Sequence, residues 1–495
     1  MRKFTFFVIG LLMTNLSIAS TYFVSTTGND SNSGATPESP LASIVTAVAK
    51  VTAGDTIWVY GGTYEYSSTI SISKSGTETD SIFLLAVEGE KPVLDFSGTA
   101  FGKRGMSLSG SYWKIEGFEM KNAGDNALNI SGSNNTITFC SFHDNEDTGL
   151  QLGGGAHDNS VINCDSYFNA DPTDYGDADG FAAKLDVGSN NYFYGCRAWL
   201  NCDDGWDGYM RGNDDVSTVL ENCWTWSNGY FKDGTDAGAK ANGNGFKVGG
   251  SDDKLLKHNF TLINCLAFYN KAKGFDQNSN MGSMFFYNCT GFGNVGNDYS
   301  VSTKIATGKK AEIKNCVLFN GKKSIGSFVV QESNSWDSKF SVDASDFISV
   351  DTTGISGPRQ SDGSLPDIGF MHLAPGSDLI NAGIDLGFPF LGYAPDLGAF
   401  ETAVGVGVKQ LSGTSVFKAY ESNTGYITLL FEQEKEGEAV VTIYNVTGSI
   451  VKTQQLNCLS KGTNEAAIPG SLTRGIYLIG LNSCGKRYST KMIIE

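Results

Sequence analysis

The sequence predicts an all-β protein: a parallel β-helix followed by a small β-sandwich. Three observations carry this. Seven short segments between Cys140 and Asn320 each hold a cysteine, mostly followed by an aromatic, and close on an asparagine. The cysteines are 24, 32, 27, 42, 24 and 27 residues apart, too close for propeller blades, and no helical pattern lies between them. From about residue 413 the pattern changes to longer alternating strands such as GYITLLFEQ and EAVVTIYNVTG, which suit a sandwich.

The chain has 495 residues and a net charge of -17. That acidity argues against nucleic acid and anionic membranes as partners. It also disfavours an acidic polymer, unless a divalent cation bridges the two. Residues 1–19 read as a secretory signal: Arg2 and Lys3 at the start, a mostly apolar run from Phe4 to Leu16, and Ser17-Ile18-Ala19 as a small-x-small cleavage site. Residues 20–402 are expected to form the β-helix. An amphipathic helix from about Leu41 to Val51, with Pro40 at its start, would cover the open end of the first coil.

The repeated segments are FCSFHDN, NCDSYFN, GCRAWLN, NCWTWSN, NCLAFYN, NCTGFGN and NCVLFN, on Cys140, Cys164, Cys196, Cys223, Cys265, Cys289 and Cys316. Asn145, Asn169, Asn201, Asn228, Asn270 and Asn294 follow their cysteines by five residues, and Asn320 follows by four. Stacked turns bring like residues to about 4.8 Å from one another. The asparagines then form a buried amide ladder, and the cysteines a reduced, apolar column rather than disulfides.

A second landmark, a glycine after the asparagine, marks five coils: Gly149, Gly180, Gly205, Gly245 and Gly274. Alternation sends the next residues inward (Leu150, Phe181, Trp206, Phe246, Phe275) and their successors outward (Gln151, Ala182, Asp207, Lys247, Asp276). Asn and Gly are four residues apart in three coils, 11 apart between Asn169 and Gly180, and 17 apart between Asn228 and Gly245. Both insertions leave the coil at the corner that carries aspartates, as binding loops on solenoids often do. Residues 373–401, rich in Gly, Pro and Asp, are expected to form the last coils and C-terminal edge. A linker is expected over 403–412 and the sandwich over 413–495. Cys458 and Cys484 fall outside the cysteine column, and a disulfide between them is left open.

The chemistry concentrates between Asp177 and Met210. Asp179, Asp203, Asp204 and Asp207 can converge from two adjacent coils. Four carboxylates make a hard, oxygen-rich site suited to Ca²⁺, which takes about six to eight oxygens at about 2.3–2.6 Å. Ordinary Asp-Gly turn chemistry explains one such pair well and the full cluster poorly. Lys247 takes the Asp207 position one coil on. It is either a partner in a surface ion pair with Asp207 or Asp276, or a general base whose neighbouring aspartates are neutralised by the cation. With calcium also holding a substrate carboxylate, the second reading gives β-elimination on a uronate. Lys184, Arg211, Lys271 and Lys273 would contact further carboxylates or be solvated surface charge.

At these residues the chain resembles polysaccharide lyase family 9, the calcium-dependent β-helix pectate lyases, through ADGFAAKL, CRAW, DDGWD and GNGFK. The resemblance implies a right-handed β-helix acting on an acidic plant cell-wall polysaccharide, with Asp179, Asp203, Asp204 and Asp207 as calcium ligands and Lys247 as base. It also admits rhamnogalacturonan as substrate. The pieces TIYNVTGSIVKTQQL, GIYLIGL and STKMIIE resemble the sorting domain of type IX secretion cargo. That implies a secreted or cell-surface protein, expected as a monomer, handed to the secretion machinery by its C-terminal domain. Two rivals stand beside this reading. A non-catalytic glycan-binding solenoid would have no use for Lys247, and a β-helix polygalacturonase would carry a Gly-His-Gly motif, in which none of His143, His157, His258 or His372 sits.

Overall fold

The computed structural model describes residues 19–402 except 393, and residues 417–494 apart from several short stretches. The expected signal segment up to residue 18 and the expected linker lie outside the described residues, as do Cys484 and the Cys458 side chain. The described residues divide into two compact units, the first ending at Thr402.

In the first unit each coil gives one strand to each of three parallel sheets, of twelve, ten and ten strands. In the coil around Cys196 these strands are Asn191–Tyr194, Arg197–Trp199 and Trp206–Asp207. The residue before each cysteine turns the chain from the first sheet into the second. Phe139, Asn163, Gly195, Asn222, Asn264, Asn288 and Asn315 all take positive φ there, which accounts for the Asn or Gly in every coil but that of Phe139. The helix is shorter than the pattern suggested, Ile44–Lys50, with Ser43 rather than Pro40 setting its start by accepting a hydrogen bond from Thr46 N. It buries Ile44, Ala47 and Val48 against the first strands.

The asparagine ladder is continuous from Asn145 to Asn294. At each step the backbone N and Nδ2 of one asparagine donate to Oδ1 of the next, as Asn201 does to Asn228 at 3.1 and 3.0 Å. It ends differently from the expectation. Asn294 donates to Asp298, and Asn320 is exposed with φ +51°. Because its segment is one residue shorter, Asn320 falls on the left-handed corner that Leu200, Ser227 and Tyr269 occupy in other coils. The seven cysteines of the column are buried and free, as is Cys202. Inside the third sheet Phe181, Trp206, Phe246, Phe275 and Tyr299 stack in one column, with centroids 4.8, 5.0, 5.3 and 4.9 Å apart in turn.

Residues 373–401 do not form coils. The last strand of the β-helix is Val330–Glu332, and the chain then runs back along the outer face of the second sheet. Phe347, Phe370, Leu379 and Leu397 cover Trp199, Trp226, Phe268 and Phe292, an outward aromatic row that water would otherwise meet. Arg359 fixes this segment by donating to Asp165 Oδ1 at 2.6 Å and to Gly195 O at 2.9 Å.

The second unit has antiparallel sheets of three and four strands. Ile427, Leu429 and Phe431 of one and Val441, Ile443, Ile479 and Leu481 of the other form its core.

Candidate active site

The outer face of the third sheet carries Gln151, Ala182, Asp207, Lys247 and Asp276 in register on consecutive coils. The corner that enters this sheet carries Asp179 and Asp204, each just before a glycine. A side chain could not replace Gly205, since a Cβ there would lie 2.0 Å from Thr225 Oγ1. The second insertion folds back onto this corner. Asn242 N donates to Asp203 Oδ1 at 2.6 Å, and Asn244 donates to Asp204 Oδ1 from its backbone N at 2.7 Å and from Nδ2 at 2.8 Å. Asp204 N donates to Asp179 Oδ1 at 3.2 Å, joining the two coils.

Asp179, Asp203 and Asp204 each present one oxygen within 4.8 Å of the others, and all three are buried. Asp207 stands beside this trio rather than in it. Its Oδ1 lies 3.2 Å from Lys247 Nζ and its Oδ2 3.8 Å from Lys184 Nζ. Lys247 Nζ is also 3.1 Å from Asp204 Oδ2, a buried oxygen with no other donor beside it.

Burial dominates the electrostatics. It raises the Asp179 carboxyl to about 8, helped by the charges of Asp207 and Asp204. It raises Asp203 well above the carboxylate range, with Asp204 and Asp179 adding to the effect. Asp204 is raised by burial against the opposing pull of Lys247. Asp207 is the exception: burial works against its charge, yet Lys247 and Lys184 hold it below its ordinary value. Burial likewise opposes the charge on Lys247, but Asp207, Asp204, Asp203 and Asp179 override it and keep the amine protonated. A corner this short of positive charge fits a hard divalent cation. The donors are all carboxylate oxygens, they come from adjacent coils, and Asp204 Oδ2 is buried with no donor beside it other than the Lys247 amine.

The remaining lysines and arginine part company. Lys184 is not at the surface: its side chain is 8% exposed and Nζ lies 2.6 Å from Asp179 Oδ2. Arg211 is exposed, lies 3.6 Å from Asp252, and sits over the Tyr209 ring. Lys271 pairs with Asp236 at 2.5 Å and so fastens the second insertion. Lys273 contacts both oxygens of Asp276 at 3.0 Å and, with Lys247, lines a polar cleft of about 370 Å³. Tyr209, Asn242, Asn244, Ala272, Asp276 and Asn278 complete its wall. A second cleft of about 290 Å³, around Leu200, Tyr230, Tyr269 and Val295, holds no acidic or basic side chain. Sequence reasoning missed Asn242 and Asn244 as supports of the aspartates. The signal was available, since Asn244 occupies the position of Asp204 one coil on.

The family model for a Pel9A-like, right-handed β-helix region matches residues 22–320, and that for a secretion system C-terminal sorting domain matches residues 423–495. The protein is accordingly exported, to the medium or the cell surface. Pectate lyase L of Dickeya chrysanthemi is 37% identical over 404 residues, covering 79% of this chain and 92% of its own. Pectate lyase L of Paenibacillus polymyxa is 40% identical over 367 residues, covering 69% and 79%. Among solved structures, pectate lyase Pel9A superposes with a TM-score of 0.72 at 37% identity, over 78% of this chain and 97% of that one. A rhamnogalacturonan lyase superposes with a TM-score of 0.63 at 26% identity, over 72% and 97%. With its coils, its site-bearing face and these likenesses together, the chain belongs to the Pel9A-like right-handed β-helix family and is a polysaccharide lyase.

Proposed function

We propose that the protein cleaves pectate by β-elimination, with calcium held by Asp179, Asp203 and Asp204 beside Asp207, and with Lys247 as general base. The observation that carries the reading is the position of the Lys247 amine. It lies 3.1 Å from Asp204 and 3.2 Å from Asp207, on the wall of the polar cleft. When bound, calcium would neutralise the aspartates and draw in a uronate carboxylate, so acidifying the proton on the carbon beside it.

The remaining work falls to the chain's own groups. As an ammonium Lys247 cannot accept a proton, so the negative charge that keeps it protonated must be offset before the step. The neutral amine then takes the C5 proton. The electrons of the C5–H bond form the C4–C5 double bond, and the C4–O glycosidic bond breaks. The departing oxygen leaves with its electron pair and gains a proton from solvent. Asn242 and Asn244 hold Asp203 and Asp204 in place, while Lys273 and Arg211 at the rim attract neighbouring carboxylates of the polymer.

The test is ultraviolet absorbance of polygalacturonate digests, with and without a chelator. A lyase forms an absorbing unsaturated product, and the calcium reading requires chelation to abolish it. A hydrolase gives only reducing ends, and a binding protein gives neither. Rhamnogalacturonan in the same panel is expected to react more slowly, because the relatives named for pectate are nearer in sequence.

A further inference from the structure

Lys184 lies at the end of the strand Phe181–Ala183, beneath the aspartate corner. Its Nζ is 2.6 Å from Asp179 Oδ2, 3.8 Å from Asp207 Oδ2 and 3.5 Å from Thr148 Oγ1. It is buried and takes no part in the wall of the cleft, so a polymer in that cleft does not reach it. Lys247, one coil beyond Asp207, shares Asp207 with it and pairs with Asp204 instead of Asp179.

The charges in this cluster can be counted. The three ligand aspartates must be ionised to hold a cation, and Asp207 is ion-paired with both lysines, so the four carry four negative charges. Before turnover, while Lys247 is still an ammonium, the two lysines offset two of them. The remainder is two, the charge that one divalent ion neutralises. Without Lys184 the remainder would be three, and a trivalent ion would match it better.

We infer that Lys184 is a positioning residue of the metal site. It holds Asp179 and Asp207 in place while the ion is absent, and it sets the site's charge so that divalent ions are preferred over trivalent ones of similar size. The inference rests on the calcium reading above, and its test does not depend on turnover. Calcium affinity is measured by calorimetry and terbium affinity by luminescence, on the full chain. The quantity read is the ratio of the two. Lost preorganisation weakens both oxygen-seeking ions alike and cancels in the ratio, whereas a lost positive charge favours the trivalent ion. Lys184→Met should shift the ratio toward terbium by about tenfold or more, given the strength of charge interactions at about 4 Å in a partly buried site. Lys184→Arg should keep the wild-type ratio. If Lys184→Met does not fold, the double variant Lys184→Met/Asp179→Asn removes the pair together. The remainder is again two charges, so its ratio should match wild type even though both affinities fall. A Lys184→Met ratio equal to wild type, or a double variant whose ratio departs from it, overturns the inference and leaves the calcium reading standing. Wild-type protein that binds neither ion overturns both.

Discussion

Replacing Lys247 by methionine separates its chemical role from its structural one. The methionine stem fills much of the same space, and only the charge and the proton acceptor are lost. In the metal-free protein the amine meets two buried carboxylates, with its own side chain 11% exposed. Removing one partner of such a buried pair typically costs about 3–5 kcal/mol. The lower end applies here, because burial already favours the protonated form of Asp204. With calcium bound, the ion takes over that neutralisation and most of the loss should disappear. Catalysis should not recover: a positioned general base contributes about 10²- to 10⁴-fold.

Two assays then read different things. Urea unfolding with and without calcium measures the stability term, and the unsaturated product measures turnover at saturating polygalacturonate. The expected pattern is a metal-free variant weaker by about 3 kcal/mol, a calcium-loaded variant near wild type, and turnover lower by at least about a hundredfold. Turnover within a few-fold of wild type would remove Lys247 as the base. Loss of turnover with an equal stability loss in calcium would make it a structural residue only.

Two further perturbations probe the corner and the ladder. Asp204→Asn should lower calcium affinity and turnover together, and calorimetry showing unchanged affinity would take Asp204 out of the site. Burial raises the Asp298 carboxyl to about 6, against the opposing hydrogen bonds from Asn294. A carboxyl raised on folding gives stability that is fully present below its unfolded pKa of about 4 and is lost as pH rises through about 6. Wild type should therefore lose more stability than Asp298→Asn between about pH 4 and 7, measured by urea midpoints. Parallel curves for the two proteins would show that Asp298 does not titrate in that window.

The legible parts of this protein were those that repeat. Identical residues on successive coils announce themselves by spacing, so the asparagine ladder, the cysteine column and the inward aromatics could be read before any coordinates. The row Asp207, Lys247, Asp276 followed from alternation within strands that the glycines had already aligned. What could not be read lacked a period. The segment from residue 333 to 402 returns along the outside of the second sheet, and its apolar residues answer to Trp199 and Trp226, not to one another. Lys184 was misplaced for a related reason. Local alternation points it outward, but the aspartate corner and Thr148 close over it and turn a surface position into a buried one. Asn320 shows how fine the margin is, since one missing residue moved it from ladder to corner.

A solenoid stacks like on like, and this is costly where the repeated group is a carboxylate. The other coils avoid the cost at the site corner: Thr148 and Asn244 occupy the places of Asp179 and Asp204. Only two adjacent coils break this pattern, and one lysine offsets them from each side. The corner is therefore the part of the β-helix whose stability depends most on a cation. Mass action gives about 2.7 kcal/mol when the ion stands at about a hundred times its dissociation constant. Because each coil touches only its neighbours, that gain should stay local. Hydrogen exchange with and without calcium should slow the amides of Asp204 and Asn244, which donate to the aspartates themselves. The strand Ala311–Lys314, several coils away, should exchange at the same rate in both conditions. Protection spread evenly along all three sheets would mean that calcium acts on the solenoid as a whole and not through this corner.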